Sequence, residues 1–79
     1  MKNIIIIQNP KESWPMYVSE VSFEKREDKT AAIAYKSTSN KEQAIVFTNE
    51  DDLNLAYAMI SIHNQRFHKV LYKIDIERL

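Results

Sequence analysis

The sequence predicts a small α+β domain: a mostly antiparallel sheet of about five strands with one helix packed on one face. Three observations predict this class. Short apolar or alternating segments, typical of strands, fill the first half of the chain, one segment with helical spacing follows, and an alternating segment comes last. The predicted order is β-β-β-β-α-β, and runs of strands followed by a helix are typical of α+β domains. Because the chain has 79 residues and no linker-like tract, residues 1–79 are expected to form a single domain.

Hydrophobic patterning predicts four strands before the helix. Residues 3–8 are rich in isoleucine, as is typical of a strand buried on both faces, and a turn containing proline follows them. Residues 16–24 alternate, which predicts a half-buried strand. A charged turn at residues 24–29 leads to a returning strand at residues 31–37, and a polar loop precedes a short strand at residues 43–47. Along the second strand, one face is expected to carry Tyr17, Ser19, Val21 and Phe23, with Val18 on the other face.

The helix is the element with the clearest start signal. Thr48 or Asn49 is expected to cap it, and the acidic residues 50–52 then lie where the helix dipole is positive. The helix is expected to end near Asn64, because asparagine tolerates the left-handed conformation that ends many helices. Its buried face is predicted to consist of Leu53, Ala56, Tyr57 and Ile60. A final strand at residues 67–76 can then return to lie beside the first strand.

One helix cannot cover both faces of a five-stranded sheet, so we expect an apolar surface that a protein partner covers. Aromatic residues and methionine are common in interface cores, and Trp14 followed by Pro15 would form a rigid apolar projection. The alternative is that Trp14 packs over the small core as a lid. An exposed sheet edge could also accept a strand from a partner or from a second copy, which leaves a homodimer open. The candidate contact residues are Trp14, Met16, Tyr17, Leu55, Met59 and Ile62, and Ile5, Ile7 and Val18 are further candidates for uncovered apolar surface.

The composition argues for binding rather than catalysis. The chain has no cysteine, which excludes a thiolate nucleophile and cysteine-ligated metal sites, and no glycine, which excludes phosphate-binding loops of the P-loop and Rossmann types. We therefore expect a non-enzymatic protein without a cofactor. The 11 basic and 11 acidic residues balance, so no net charge attracts nucleic acid or anionic lipid. The four consecutive isoleucines are too few to span a bilayer or to form a signal peptide, which predicts a cytoplasmic protein without a membrane partner.

A metal- or carboxylate-dependent enzyme is the weakest alternative. His63 and His68 could act as metal ligands, but their spacing does not place them on one helical face. We prefer the explanation that one histidine lies at a helix C-terminus and the other at the rim of a strand, because a metal site needs more ligands than this spacing supplies. The acidic residues 50–52 could form a carboxylate site, with Asp52 as a candidate, but capping of the helix accounts for them.

A small nucleic-acid-binding regulator is the second hypothesis. Basic residues are interleaved with Phe67 and Tyr72 near the end of the chain, and exposed aromatic residues beside cations can stack on bases. Against this, Tyr72 shares a predicted strand face with Val70 and Ile74 and is expected in the core. The candidate contact residues for this alternative are Arg66, His68, Lys69, Lys73 and Arg78.

The segment from residue 41 to residue 56 resembles a pattern in small uncharacterised phage and prophage accessory proteins. In that pattern an alanine and a phenylalanine three residues apart, here Ala44 and Phe47, precede an acid-capped helix and a closing strand. The usual glycine between helix and strand is missing here. The resemblance implies an accessory protein that acts stoichiometrically by masking a host protein, for example as an inhibitor of a defence nuclease. It implies no catalytic residues.

Overall fold

A computed structural model describes residues 1–67 and 71–79 of the chain. Over these residues it contains four strands and one α-helix, in the order β-β-β-α-β. The α+β class and the antiparallel sheet are confirmed, with one strand fewer than the sequence predicted. The elements are β1 (Asn3–Gln8), β2 (Met16–Arg26), β3 (Lys29–Thr38), a short 3₁₀ helix (Lys41–Gln43), α1 (Glu50–Phe67) and β4 (Lys73–Arg78).

The sheet has the strand order β3-β2-β1-β4, and each neighbouring pair is antiparallel. The last strand therefore pairs with the first, in a register that runs from Asn3 opposite Arg78 to Gln8 opposite Lys73. Residues of β1, β2 and α1 form one core, so Ile5, Ile7 and Val18 are buried and are not part of a binding surface. The remaining core residues are Phe47, Leu53, Ala56 and Ile60.

Residues 43–47 do not form the predicted fourth strand. β1 and β2 pair at Ile6–Tyr17 and Ile7–Met16, and a short segment crosses between the two strands beyond that point. The Phe47 N–H donates to the Asn3 carbonyl at 2.8 Å, and the Phe47 carbonyl accepts from the Asn3 N–H at 3.1 Å. The Ile45 N–H donates to the Val18 carbonyl at 2.9 Å. This segment forms hydrogen bonds with both β1 and β2, where the two strands diverge. The alternation of side chains within the segment could not predict such an arrangement. We call residues 45–47 the wedge segment.

The 3₁₀ helix before the wedge segment contacts the other face of the sheet. Lys41 Nζ lies 2.8 Å from Glu77 Oε2 of β4, and the hydrogen bond and charge of that carboxylate raise the pKa of Lys41. Ile4, which lies opposite Glu77 in the register, is fully buried. One helix is therefore not the sole cover of this sheet, and less apolar surface stays exposed than the sequence predicted.

A β-bulge makes the predicted alternation of β2 wrong. The register against β3 shifts between Val18 and Glu20, which places Ser19 as an extra residue in β2. Val18 is fully buried in the core and Val21 packs against the same core, although strict alternation placed them on opposite faces. Because of the extra residue, Val21 faces the same core as Val18.

The helix begins as predicted and extends further than predicted. Asn49 is the cap: its Oδ1 accepts from the N–H of Asp51 at 2.8 Å and of Asp52 at 3.2 Å. The helix continues past Asn64 to Phe67, so the predicted end and the predicted strand start at residue 67 are wrong. Among the described residues, no helix combines the length and the apolar character needed to cross a membrane.

Asn64 has a tertiary role instead of ending the helix. Its side-chain Nδ2 donates to the Tyr72 carbonyl at 2.8 Å, and its Oδ1 accepts from the Tyr72 N–H at 3.0 Å. One amide thus satisfies both backbone groups of the residue just before β4, as a neighbouring strand would. Because Asn64 is buried, these bonds are shielded from water and fix the end of α1 to the sheet.

The β2–β3 turn is tighter than the predicted charged turn, since Glu27 and Asp28 alone separate the strands. Glu27 has φ of 53°, a region that costs about 1–2 kcal/mol for residues with a Cβ. We expect Glu27→Gly to raise the free energy of unfolding by up to about 1 kcal/mol, part of the relief being offset by greater freedom of the unfolded chain. Urea unfolding measures this.

Asp28→Gly is the matched control for this turn. Asp28 does not have positive φ, so glycine relieves nothing there and is expected to lower stability by about 0.5–1 kcal/mol. Equal effects of the two substitutions would contradict a specific cost at Glu27.

Candidate functional site

An open groove of about 660 Å³ lies between α1 and β3. Three large apolar side chains along it are mostly exposed to water: Ile33 by 56%, Ile62 by 51% and Phe67 by 73%. Exposed apolar side chains gathered on one concave surface are typical of a binding site, whereas single ones are common on any protein. The groove is lined by Ile33, Ala34, Tyr35, Ser37, Met59, Ile62, His63, Arg66 and Phe67.

Helical spacing explains how α1 contributes one wall of the groove. Met59, Ile62 and Arg66 follow one another at intervals of three and four residues, so they share a side of the helix. A different side of α1, with Ala56 and Ile60, is buried in the core. The helix thus has an apolar stripe in the core and a second apolar stripe along the groove.

Aromatic rings pack together within the groove. The rings of Tyr35 and His63 meet edge to face with centroids 5.5 Å apart, and the His63 and Phe67 rings lie 4.8 Å apart. Burial, together with the nearby Tyr72, raises the pKa of Tyr35. These contacts order a mostly apolar floor.

The positive charge of the groove comes from Arg66, which lies in the last turn of α1. Arg66 lines it and is exposed, and the groove lining includes no acidic residue. In the part of the chain that is described, none of the ion pairs involves Arg66. The groove therefore presents a cation beside apolar side chains, a combination that favours a ligand with an acidic group.

The structure gathers part of the predicted contact set. Met59 and Ile62 lie in the groove, while Leu55 lines a separate depression with Thr30 near the start of α1. Trp14 is 54% exposed, in the loop between β1 and β2, which differs from the alternative of a lid over the core. Met16 and Tyr17 are partly buried in β2, and Met16 packs against the core.

Three residues that line the groove were not predicted as contact residues: Ile33, His63 and Phe67. Phe67 follows His63 by four residues, so helical periodicity would have placed it on this stripe if the helix had been extended beyond Asn64. Ile33 lies in β3 at the position where the register against β2 shifts a second time. That shift has no local sequence signal.

The alternative site residues lie on separate elements. Of the predicted nucleic-acid contacts, Arg66 is in the groove, and His68 and Lys69 lie outside the described residues. Lys73 Nζ is 3.6 Å from Asp75 Oδ2, and alternation along β4 places Arg78 on the opposite face. Among residues 1–67 and 71–79, no three His, Cys, Asp or Glu side chains are grouped to hold a metal ion.

Comparison of the chain with protein-family models, with curated proteins and with solved structures finds no match.

Proposed function

We propose that this chain is a non-enzymatic protein-binding module of the cytoplasm. It acts stoichiometrically by masking the surface of a host protein, as a phage or mobile-element accessory protein would, for example as an inhibitor of a defence nuclease. The groove between α1 and β3 is its main contact surface, with Met59 and Ile62 as contact residues. Trp14 is a further contact on the loop between β1 and β2.

The observation that carries this proposal is the exposure of Ile33, Ile62 and Phe67 along one groove. Covering an exposed aliphatic or aromatic side chain completely is worth about 1.5–3 kcal/mol. A partner that covers all three would gain enough to offset much of the entropy lost on association, which is at least about 4 kcal/mol.

The way α1 is fixed at both ends supports a masking role. Asn49 caps the start of the helix, and the paired hydrogen bonds of Asn64 attach its last turns to the residue before β4. A wall held at both ends is ordered before binding, which lowers the entropic cost of forming a complex. A protein that masks another needs an ordered binding surface, and it does not need to release its partner in a catalytic cycle.

Substitution of Ile62 tests the proposal. The chain is immobilised, captured host proteins are identified, and the affinity and stoichiometry of each purified complex are measured by calorimetry. We expect a one-to-one complex whose affinity falls at least about tenfold in Ile62→Glu, since a carboxylate would replace a buried apolar contact.

Val46→Glu is the matched control. Val46 is another exposed aliphatic residue, but it lies in the wedge segment and not in the groove. It should leave the affinity unchanged. A captured partner that binds both variants equally well, or a host lysate from which the chain captures nothing, would contradict a masking role for the groove.

A further inference from the structure

We propose that the groove binds an extended peptide segment of the partner protein, which adds to the outer edge of β3 and places an acidic residue at Arg66. This inference rests on the proposed function and names the chemical class of the partner segment. Its observations are the open edge of β3, the covered edge of β4, the course of the groove along the β3 backbone and the charge of Arg66.

The outer edge of β3 is open to another strand. β3 is a terminal strand of the sheet, and its ladder hydrogen bonds within the described residues run to β2. An edge strand directs the N–H and C=O groups of alternate residues away from the sheet, where an added strand can bond to them. Residues 30–35 of β3 have no charged side chain, so the usual protection of an edge by charge is missing over this stretch.

The opposite edge of the sheet is protected. Side chains of α1 reach over it: Asn64 bonds both backbone groups of Tyr72, and the Tyr57 hydroxyl donates to the Ile74 carbonyl at 3.4 Å. β4 itself carries charge at Lys73, Asp75, Glu77 and Arg78. Since the helix and the charges both protect β4, β3 is the edge suited to strand addition.

The groove follows the backbone of β3 as well as its side chains. Ile33, Ala34 and Tyr35 are consecutive and all line it, and the register shift at Ile33 interrupts the alternation of side chains there. The groove borders β3, the terminal strand of the sheet, and an added strand would lie about 4.8 Å from β3. Alternate side chains of that added strand would lie against Met59, Ile62 and Phe67 of α1. Main-chain bonds then provide affinity and the apolar wall provides selectivity.

Arg66 selects for charge within the segment. It is the cation of a groove lining that includes no acidic residue. A carboxylate on the segment would form a charge-assisted hydrogen bond with the guanidinium, whereas a lysine would be repelled. The expected segment has apolar residues at alternate positions and an aspartate or glutamate at one end.

Selection from a displayed library of random heptapeptides on the immobilised full chain tests this inference. We expect enrichment of peptides with apolar residues at alternate positions and a terminal acidic residue. The best of them, made synthetically, should lose at least tenfold in affinity when its backbone is N-methylated at the positions that bond to β3. Amide exchange of residues 30–37 should slow when the unmodified peptide binds.

A charge swap tests the role of Arg66. Arg66→Glu should lower affinity for the acidic peptide at least fivefold, and replacing the acidic residue of the peptide by lysine should restore it. Arg78→Glu, outside the groove, is the control and should change neither affinity. Enrichment of peptides with helical spacing, tolerance of N-methylation, or no enrichment would overturn the inference.

The outcomes separate this inference from the proposed function. Capture of a host protein that depends on Ile62, without selection of extended peptides, would overturn strand addition and leave the masking role in place. Self-association that is abolished by Arg66→Glu, measured by sedimentation, would make a second copy the occupant and would also overturn the inference. If peptides are selected but no host protein is captured, the masking role is contradicted and strand addition is retained.

Discussion

Phe47→Ala is expected to lower the free energy of unfolding by about 3–5 kcal/mol. The Phe47 side chain is 3% exposed and belongs to the core, where the wedge segment enters between β1 and β2. Truncation of this side chain leaves a cavity between β1 and β2, which do not pair with each other at this point. The two strands therefore cannot easily move together to fill the cavity. A chain of this size has about 3–5 kcal/mol in total, so the variant should be largely unfolded at 25 °C.

Circular dichroism and urea unfolding measure this effect, with Val46→Ala as the control. Val46 precedes Phe47 in the same segment but is 43% exposed, so its truncation should cost less than about 0.5 kcal/mol. If Phe47→Ala retained a cooperative transition close to that of the unmodified chain, the wedge segment would not be a structural part of the core.

Asn64→Ala is expected to lower the free energy of unfolding by about 1–3 kcal/mol. The substitution removes both bonds to the backbone of the partly buried Tyr72, and each such hydrogen bond contributes about 0.5–1.5 kcal/mol. The higher helix propensity of alanine offsets only about half a kcal/mol of this. Urea unfolding gives the magnitude.

Gln65→Ala is the control for this position, because Gln65 is the next residue of α1, carries the same amide group and is exposed. It should change stability by less than about 0.5 kcal/mol. Amide exchange adds a local readout: in Asn64→Ala the protection of Tyr72 should fall most. Similar losses in the two variants would show that the Asn64 bonds do not contribute as proposed.

The elements that depend on local patterning were predictable from the sequence. The isoleucine run gave β1 its limits, and the cap at Asn49 and the spacing of Leu53, Ala56 and Ile60 identified α1 and its buried side. Of the helix residues named as candidate contacts, Met59 and Ile62 line the groove and Leu55 lies outside it.

The features that were missed depend on contacts between distant residues. The bulge at Ser19 exists because β2 must fit the register of β3, and the wedge segment takes its shape from two diverging strands. Asn64 has the residue type of a helix end, but its partner is the backbone of Tyr72, eight residues away. Phe67 was consequently placed in a strand instead of in the groove. In each case local preference was overridden by a tertiary interaction.

The uncharged stretch of β3 also affects how the free protein behaves at high concentration. Six consecutive residues of this strand, which has one unpaired side, carry no charge and no proline that would block edge-to-edge association. A molecule that keeps such a stretch uncovered is expected to associate with other copies of itself at high concentration. A lysine placed by engineering at the exposed residue Ala31 should reduce this association.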